Sequence, residues 1–182
     1  MGYVGRLEQD KGVWEALYSC EKLKDKWAVQ LTIIGYGSCY DELQRYINSH
    51  QLSDCVRIIP GVPQKALGAF YRNMDLFLFS SRTGESLGLT GIEAMACGVP
   101  VIGSNIGGIA TYVRDKENGY LVTPANVAEM VHCIEQYQAL SPVEKKDMRN
   151  CCLKTSRNYM TPYVMQKLSS DLMTVLRWTI YS

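Results

Sequence analysis

Metal and disulfide chemistry have little to work with in this sequence. It holds two histidines, His50 and His132, and seven cysteines without one C-x-x-C pair. Metal-ligand spacing is therefore missing, and no metal site is expected. Cys151 and Cys152 are adjacent, which would strain a disulfide between them. Free thiols point instead to a reducing compartment, so a cytoplasmic protein is expected. There is no signal-peptide pattern, no N-x-S/T sequon and no apolar run long enough to cross a bilayer. The stretch Leu172–Ile180 is apolar but short, and Arg177 interrupts it. Charge of one sign is scarce too. A formal net charge of +1 gives no general draw to nucleic acid or anionic lipid. The basic clusters Lys22–Lys26 and Lys145-Lys146 are interleaved with acids and read as solvated helix faces. A G-x-S-x-G elbow is absent, which leaves nucleophilic hydrolysis without support. The Gly35-Tyr36-Gly37 turn lacks a third glycine, with Tyr40 in its place, and no acid ends Val56–Ile59. A nicotinamide dehydrogenase is excluded on those grounds.

What is present describes an ordinary globular chain of 182 residues, 47% hydrophobic and 20% charged, enough for one domain with its own core. Strands are expected at Tyr3–Leu7, Val29–Ile34, Val56–Ile59, Asp75–Phe79, Gly98–Gly103 and Gly119–Val122. Between them, helical spacing starts near Lys11 with Val13, Leu17 and Cys20 on one face, and Leu43 and Ile47 mark a second helix. Further helices are expected at Gln64–Arg72, at Thr90–Cys97 and after Gly107-Gly108. Three more close the chain, near Val127–Tyr137, Val143–Leu153 and Tyr163–Leu176. Both histidines fall in helical stretches. Strands alternating with helices imply an α/β fold, a doubly wound, Rossmann-like parallel sheet of about six strands with helices on both faces. Near-continuous apolar runs at Leu76–Phe79 and Val99–Ile102 suit strands buried on both sides.

The chemistry concentrates after the fourth strand, where Glu85 and Glu93 bracket Ser86-Leu87-Gly88-Leu89-Thr90-Gly91-Ile92. Ligands of such sheets bind at the carboxyl ends of the strands. Glu93 suits a ribose diol, whose hydroxyls donate to a carboxylate. Equally, Thr90-Gly91-Ile92-Glu93 matches the capping box, in which the glutamate satisfies a helix amide. Glu85 sits on a loop where acids are usually solvated. Gly88 and the helix start behind it raise its interest, because a glycine admits close approach and the amides of Gly88 and Leu89 suit phosphate oxygens. Arg6 and Lys11, beyond the first strand, are cations able to reach the same edge. Gly107-Gly108 admits either close packing or substrate approach.

In this order, the motifs resemble the C-terminal half of retaining glycosyltransferases with two Rossmann domains (the GT-B fold), in the large family often called GT4. The residues that carry the likeness are Gly5-Arg6-Leu7 with Lys11-Gly12, Ile33-Ile34-Gly35-Tyr36-Gly37, the E-x7-E pair Glu85 and Glu93, Glu93–Ile102, Gly107-Gly108 and Asn118–Val122. The resemblance implies a donor-binding domain for a nucleoside diphosphate sugar, linked to UDP or GDP, with no other cofactor and no metal. Arg6, Lys11 and Glu85 would be catalytic. Arg6 and Lys11 would hold the diphosphate, Glu85 the sugar hydroxyls, Glu93 the ribose, and the amides of Gly88 and Leu89 the phosphate; Val62 would border the base. It departs from the pattern at Leu87, at Ile109-Ala110-Thr111 and at Ser80-Ser81. It further implies a missing N-terminal acceptor domain, toward which a helix at 161–180 would pack, and a full-length enzyme peripheral to the inner membrane face. The acceptor would be a glycan or lipid-linked, and this domain alone would transfer little sugar. A sugar-nucleotide epimerase of the same architecture and a non-catalytic nucleotide-sugar-binding module are the alternatives.

Overall fold

The computed structural model describes residues 1–159. The expected closing helix and the apolar stretch Leu172–Ile180 lie outside the described residues. Six strands form one sheet: β1 (Gly2–Val4), β2 (Leu31–Ile34), β3 (Val56–Ile59), β4 (Phe77–Phe79), β5 (Val101–Ser104) and β6 (Gly119–Val122). Their spatial order is β3-β2-β1-β4-β5-β6, and every ladder is parallel. The chain winds outward from β1 to β3, then crosses back to start β4 on the other side of β1. The crevice between β1 and β4 is therefore the topological switch point, where such sheets take their ligands.

Side-chain alternation along the strands feeds two cores. Tyr3, Leu31, Ile33, Leu78, Ile102, Tyr120 and Val122 point to one face. There they meet the buried stripes of α1 (Val13–Leu23), α2 (Tyr40–Ser49) and α6 (Val127–Ala139). Val4, Ile34, Phe77, Phe79 and Val101 point the other way. Their partners come from α3 (Gln64–Arg72), α4 (Leu89–Ala96), α5 (Ile109–Tyr112) and α7 (Pro142–Tyr159). Each fully buried leucine or phenylalanine contributes about 1.5–3 kcal/mol, so both faces are committed.

Several expected boundaries shift for local reasons. β1 stops at Val4 rather than Leu7, because the chain turns at Gly5 while its amides still bond to the exit of β2: Gly5 N–H to the Ile34 carbonyl at 3.0 Å, Leu7 N–H to that of Tyr36 at 2.7 Å. β5 begins at Val101, since Gly98 ends α4 in the left-handed region (φ 72°), a conformation that stops a helix and cannot yet start a strand. His50 falls just beyond α2, at its C-terminal cap, and not within a helix; His132 is inside α6.

Candidate functional site

At the β1–β4 crevice lies a cleft of about 480 Å³. Arg6, Lys11, Glu85, Gly88 and Leu89 all line it, together with Tyr3 and Phe79 on its floor. Five of the residues singled out from sequence thus meet in one place. Glu93 and Val62 are not among its lining residues: Glu93 sits a turn further along α4, and Val62 packs against the second core ahead of α3.

The β1–α1 loop carries the two cations. Arg6 is exposed, and Lys11 ends a short 3₁₀ turn, Gln9–Lys11. The loop is cinched from below by Tyr3, whose hydroxyl donates to the Arg6 carbonyl at 2.8 Å, with the Lys11 carbonyl at 3.3 Å. Burial, and then the nearby Glu85 and Asp10 charges, push the Tyr3 hydroxyl far above its ordinary range, so it stays a neutral donor. From the far side, Ser80 Oγ donates to the Gly12 carbonyl at 2.6 Å. Gly12 has φ 72°, and a Cβ there would fall 1.7 Å from the Ser80 carbonyl oxygen. No other residue permits that approach.

Glu85 is held tightly. Its Oε1 accepts from Lys11 Nζ at 2.7 Å, and the Ser81 hydroxyl stands 3.1 Å from the same oxygen. Its backbone carbonyl accepts from the Gly108 N–H at 2.7 Å. A Cβ on Gly107 would meet that carbonyl at 2.6 Å, and one on Gly108 the Ser86 carbonyl at 2.4 Å. Of the two explanations for the double glycine, close packing is the one observed. The Gly35-Tyr36-Gly37 turn serves the same end, since a Cβ at either glycine would strike the backbone of Gly5 or Leu7.

Gly88 caps α4 in the left-handed region (φ 74°, ψ 61°) with no side-chain cap, so the first amides of the helix have no intrahelical acceptor. They lie beside the two cations on the cleft wall, an arrangement suited to phosphate oxygens. Glu93 is not a capping residue. Its Oε1 accepts from Gln64 Nε2 at 2.9 Å and its Oε2 from the Tyr71 hydroxyl at 3.1 Å. A capping box does form elsewhere, at the start of α7: Ser141 N–H donates to Glu144 Oε2 at 2.8 Å and Glu144 N–H to Ser141 Oγ at 3.3 Å. These bonds hold the Glu144 carboxyl below its usual range. Burial, then the Glu93 charge and hydrogen bond, raise the Tyr71 hydroxyl, so Tyr71 too remains a donor.

Tyr3, Ser81, Gln64 and Tyr71 are supports that sequence reasoning missed. Their partners lie up to 29 residues away for the Glu93 bonds, beyond any local pattern. Only the unusual Ser80-Ser81 pair offered a signal. All seven cysteines are free. Burial pushes the Cys20 and Cys152 thiols up to about 12 and that of Cys133 to about 11, which removes them as nucleophiles.

Residues 1–151 match the family described as glycosyl transferases group 1, and the chain belongs to that family. It is 34% identical over 124 residues to the amylovoran biosynthesis glycosyltransferase AmsK of Erwinia amylovora, a match covering 65% of this chain and 30% of that protein. Its fold is similar to the pneumococcal O-GlcNAc transferase GtfA in complex with UDP and GlcNAc, with TM-score 0.79 and 23% identity, covering 96% of this chain and 35% of that one. It is also similar to the C-terminal domain of a glycosyl transferase group 1 family protein (LpcC) from Francisella tularensis. There the TM-score is 0.76 and the identity 22%, over 86% of this chain and 84% of that one. The chain thus spans about a third of the length of AmsK and of GtfA. Among the described residues no helix is long and apolar enough to cross a membrane.

Proposed function

We propose that this chain is the donor-binding, C-terminal half of a retaining GT4 glycosyltransferase, which takes a sugar from a UDP- or GDP-linked donor and passes it to a glycan or lipid-linked acceptor. The observation that carries this reading is the meeting of Arg6, Lys11, Glu85 and the uncapped start of α4 around one cleft at the switch point. Arg6 offers a fork of donors to the diphosphate and Lys11 a point charge. Both oppose the negative charge that builds on the leaving nucleoside diphosphate, and they occupy the cleft before it develops. Such preorganised stabilisation makes a metal ion unnecessary. Glu85 orients the sugar by accepting from its hydroxyls. Glu93, fixed by Gln64 and Tyr71 on its two oxygens, accepts from the ribose diol beyond the cleft's own lining, and Val62 borders the base.

The similarity to an isolated C-terminal domain, 84% of which is covered, supports placing this chain after an acceptor domain. A cleft with one wall neither excludes water nor aligns two substrates, so the chain alone transfers little sugar. Seven free thiols favour a cytoplasmic setting, with the whole enzyme peripheral to the inner membrane face. A thermal-shift panel of nucleoside diphosphates and their sugars tests the reading. Stabilisation by a uridine or guanosine diphosphate, but not by the matching nucleoside, is expected. Indifference to every nucleotide at millimolar concentration refutes it.

A further inference from the structure

The cation best placed for a phosphate is already engaged. Lys11 Nζ lies 2.7 Å from Glu85 Oε1, with both side chains mostly sheltered (17% and 22% exposed), and 3.6 Å from Asp10 Oδ2. An incoming diphosphate must therefore compete with a carboxylate for Lys11 and also face that carboxylate's repulsion. The segment that carries Glu85 cannot withdraw to relieve it. Its backbone is pinned by the Gly108 amide, Gly107 packs against it without room for a Cβ, and Ser81 stands by its Oε1. Lys11, by contrast, is a flexible chain able to turn from Oε1 toward a phosphate. Its departure leaves a half-buried carboxylate short of a donor, and Oε2 has no bond among the described residues.

We propose that the Lys11–Glu85 pair is a specificity latch: it makes the cleft favour a nucleoside diphosphate carrying a hydroxylated sugar over the bare nucleoside diphosphate. This rests on the donor-site reading above and concerns what that site rejects. Sugar hydroxyls replace the donor that Glu85 loses when Lys11 turns to the phosphate, so the intact donor compensates both charges. A free nucleoside diphosphate supplies no hydroxyl at that point and brings extra negative charge, because its terminal phosphate is no longer an ester. A cleft built of cations alone would hold that product more tightly than the substrate. Glu85 reverses the preference, and the spent nucleotide leaves.

Calorimetry on the 182-residue chain with UDP and UDP-glucose, and with GDP and GDP-mannose, tests the latch. Glu85→Gln keeps the shape and the Ser81 neighbour but removes the charge. It should tighten the bare diphosphate roughly fivefold, the scale of one partly sheltered ion pair, and weaken the matching nucleotide sugar. A gain in affinity cannot come from misfolding. In a Lys11→Met background the gain for the bare diphosphate should shrink to what the loss of repulsion alone supplies, because no cation remains to be released. Equal weakening of both ligands by Glu85→Gln, or a gain just as large without Lys11, overturns the latch while leaving the donor site standing. Failure of the wild type to bind any of the four nucleotides overturns the donor-site reading and the latch together.

Discussion

Arg82→Met should destabilise the protein far more than its position on an exposed loop suggests. Arg82 reaches from the exit of β4 to Glu15 on α1, with Nε and Nη2 each 2.6 Å from Glu15 Oε1. The glutamate side chain is 3% exposed against 37% for the arginine, and its Oε2 is buried with no partner among the described residues. Removing the arginine strands a charge in the interior beneath α1. Breaking such a pair from one side costs about 3–5 kcal/mol. Because water reaches Arg82, the lower end applies, about 3 kcal/mol. That is a large share of the roughly 5–15 kcal/mol that holds a domain together. In melting temperature it amounts to roughly 6–12 °C for a chain of this size. Replacing both partners with apolar groups leaves nothing stranded, so Glu15→Met/Arg82→Met should recover most of the loss. Urea unfolding of the wild type, the single and the double variant, at unchanged m-value, decides the matter. A single-variant cost below about 1 kcal/mol, or a double variant no more stable than Arg82→Met, refutes the reasoning.

Arg6→Ala should weaken UDP or GDP binding by about 1.5–3 kcal/mol, the worth of a hydrogen bond to a charged group; calorimetry showing unchanged affinity would remove Arg6 from the site. Glu93→Gln should weaken a nucleoside diphosphate while sparing inorganic pyrophosphate, and equal losses for both would place Glu93 away from the ribose. Gly108 has ordinary helical dihedrals (φ −65°, ψ −23°), so Gly108→Ala carries no backbone strain. Its Cβ would still press on Ser86 and Leu87 at 2.4 and 2.5 Å, and nucleotide affinity should drop about tenfold or more. Titration showing wild-type affinity in that variant would mean that the Glu85 loop need not be held in place.

The pattern of strands and helices was legible because each element is written in local periodicity. β3, α3 and β6 lie where the alternation put them, at Val56–Ile59, Gln64–Arg72 and Gly119–Val122. The spatial order β3-β2-β1-β4-β5-β6 is not written locally, since crossover rules fix handedness and leave order open. Yet that order is what brings Arg6 beside Glu85, residues far apart in the chain. Local spacing was weakest at Glu93. Thr90–Glu93 and Ser141–Glu144 both read S/T-x-x-E, and only the second is a cap. In the first, Gly88 caps α4 and Thr90 already lies inside it, while α3 presents Gln64 and Tyr71 to the Glu93 carboxylate; among the described residues no other side chain bonds to Glu144.

The glycines of the motifs share one task that spacing did not reveal. Gly12 rests on Ser80, Gly35 on Gly5, Gly37 on Leu7, Gly107 on Glu85 and Gly108 on Ser86, each at a distance that no Cβ tolerates. These contacts join the loops after β1, β2 and β4 to one another and to the turn before α5, backbone against backbone. A contact between backbones does not loosen when side chains repack, so the placement of the loops that carry the cations and Glu85 is set by the main chain. Side chains then have only to supply charge and hydrogen bonds. The departure at Ile109-Ala110-Thr111 falls beyond the fixed points, and Leu87 meets Gly108 through its Cα, which any side chain there would leave in place. Catalytic groups must be held within fractions of an ångström to act on a transition state. Glycine, which supplies no chemistry of its own, is what allows three loops to come that close.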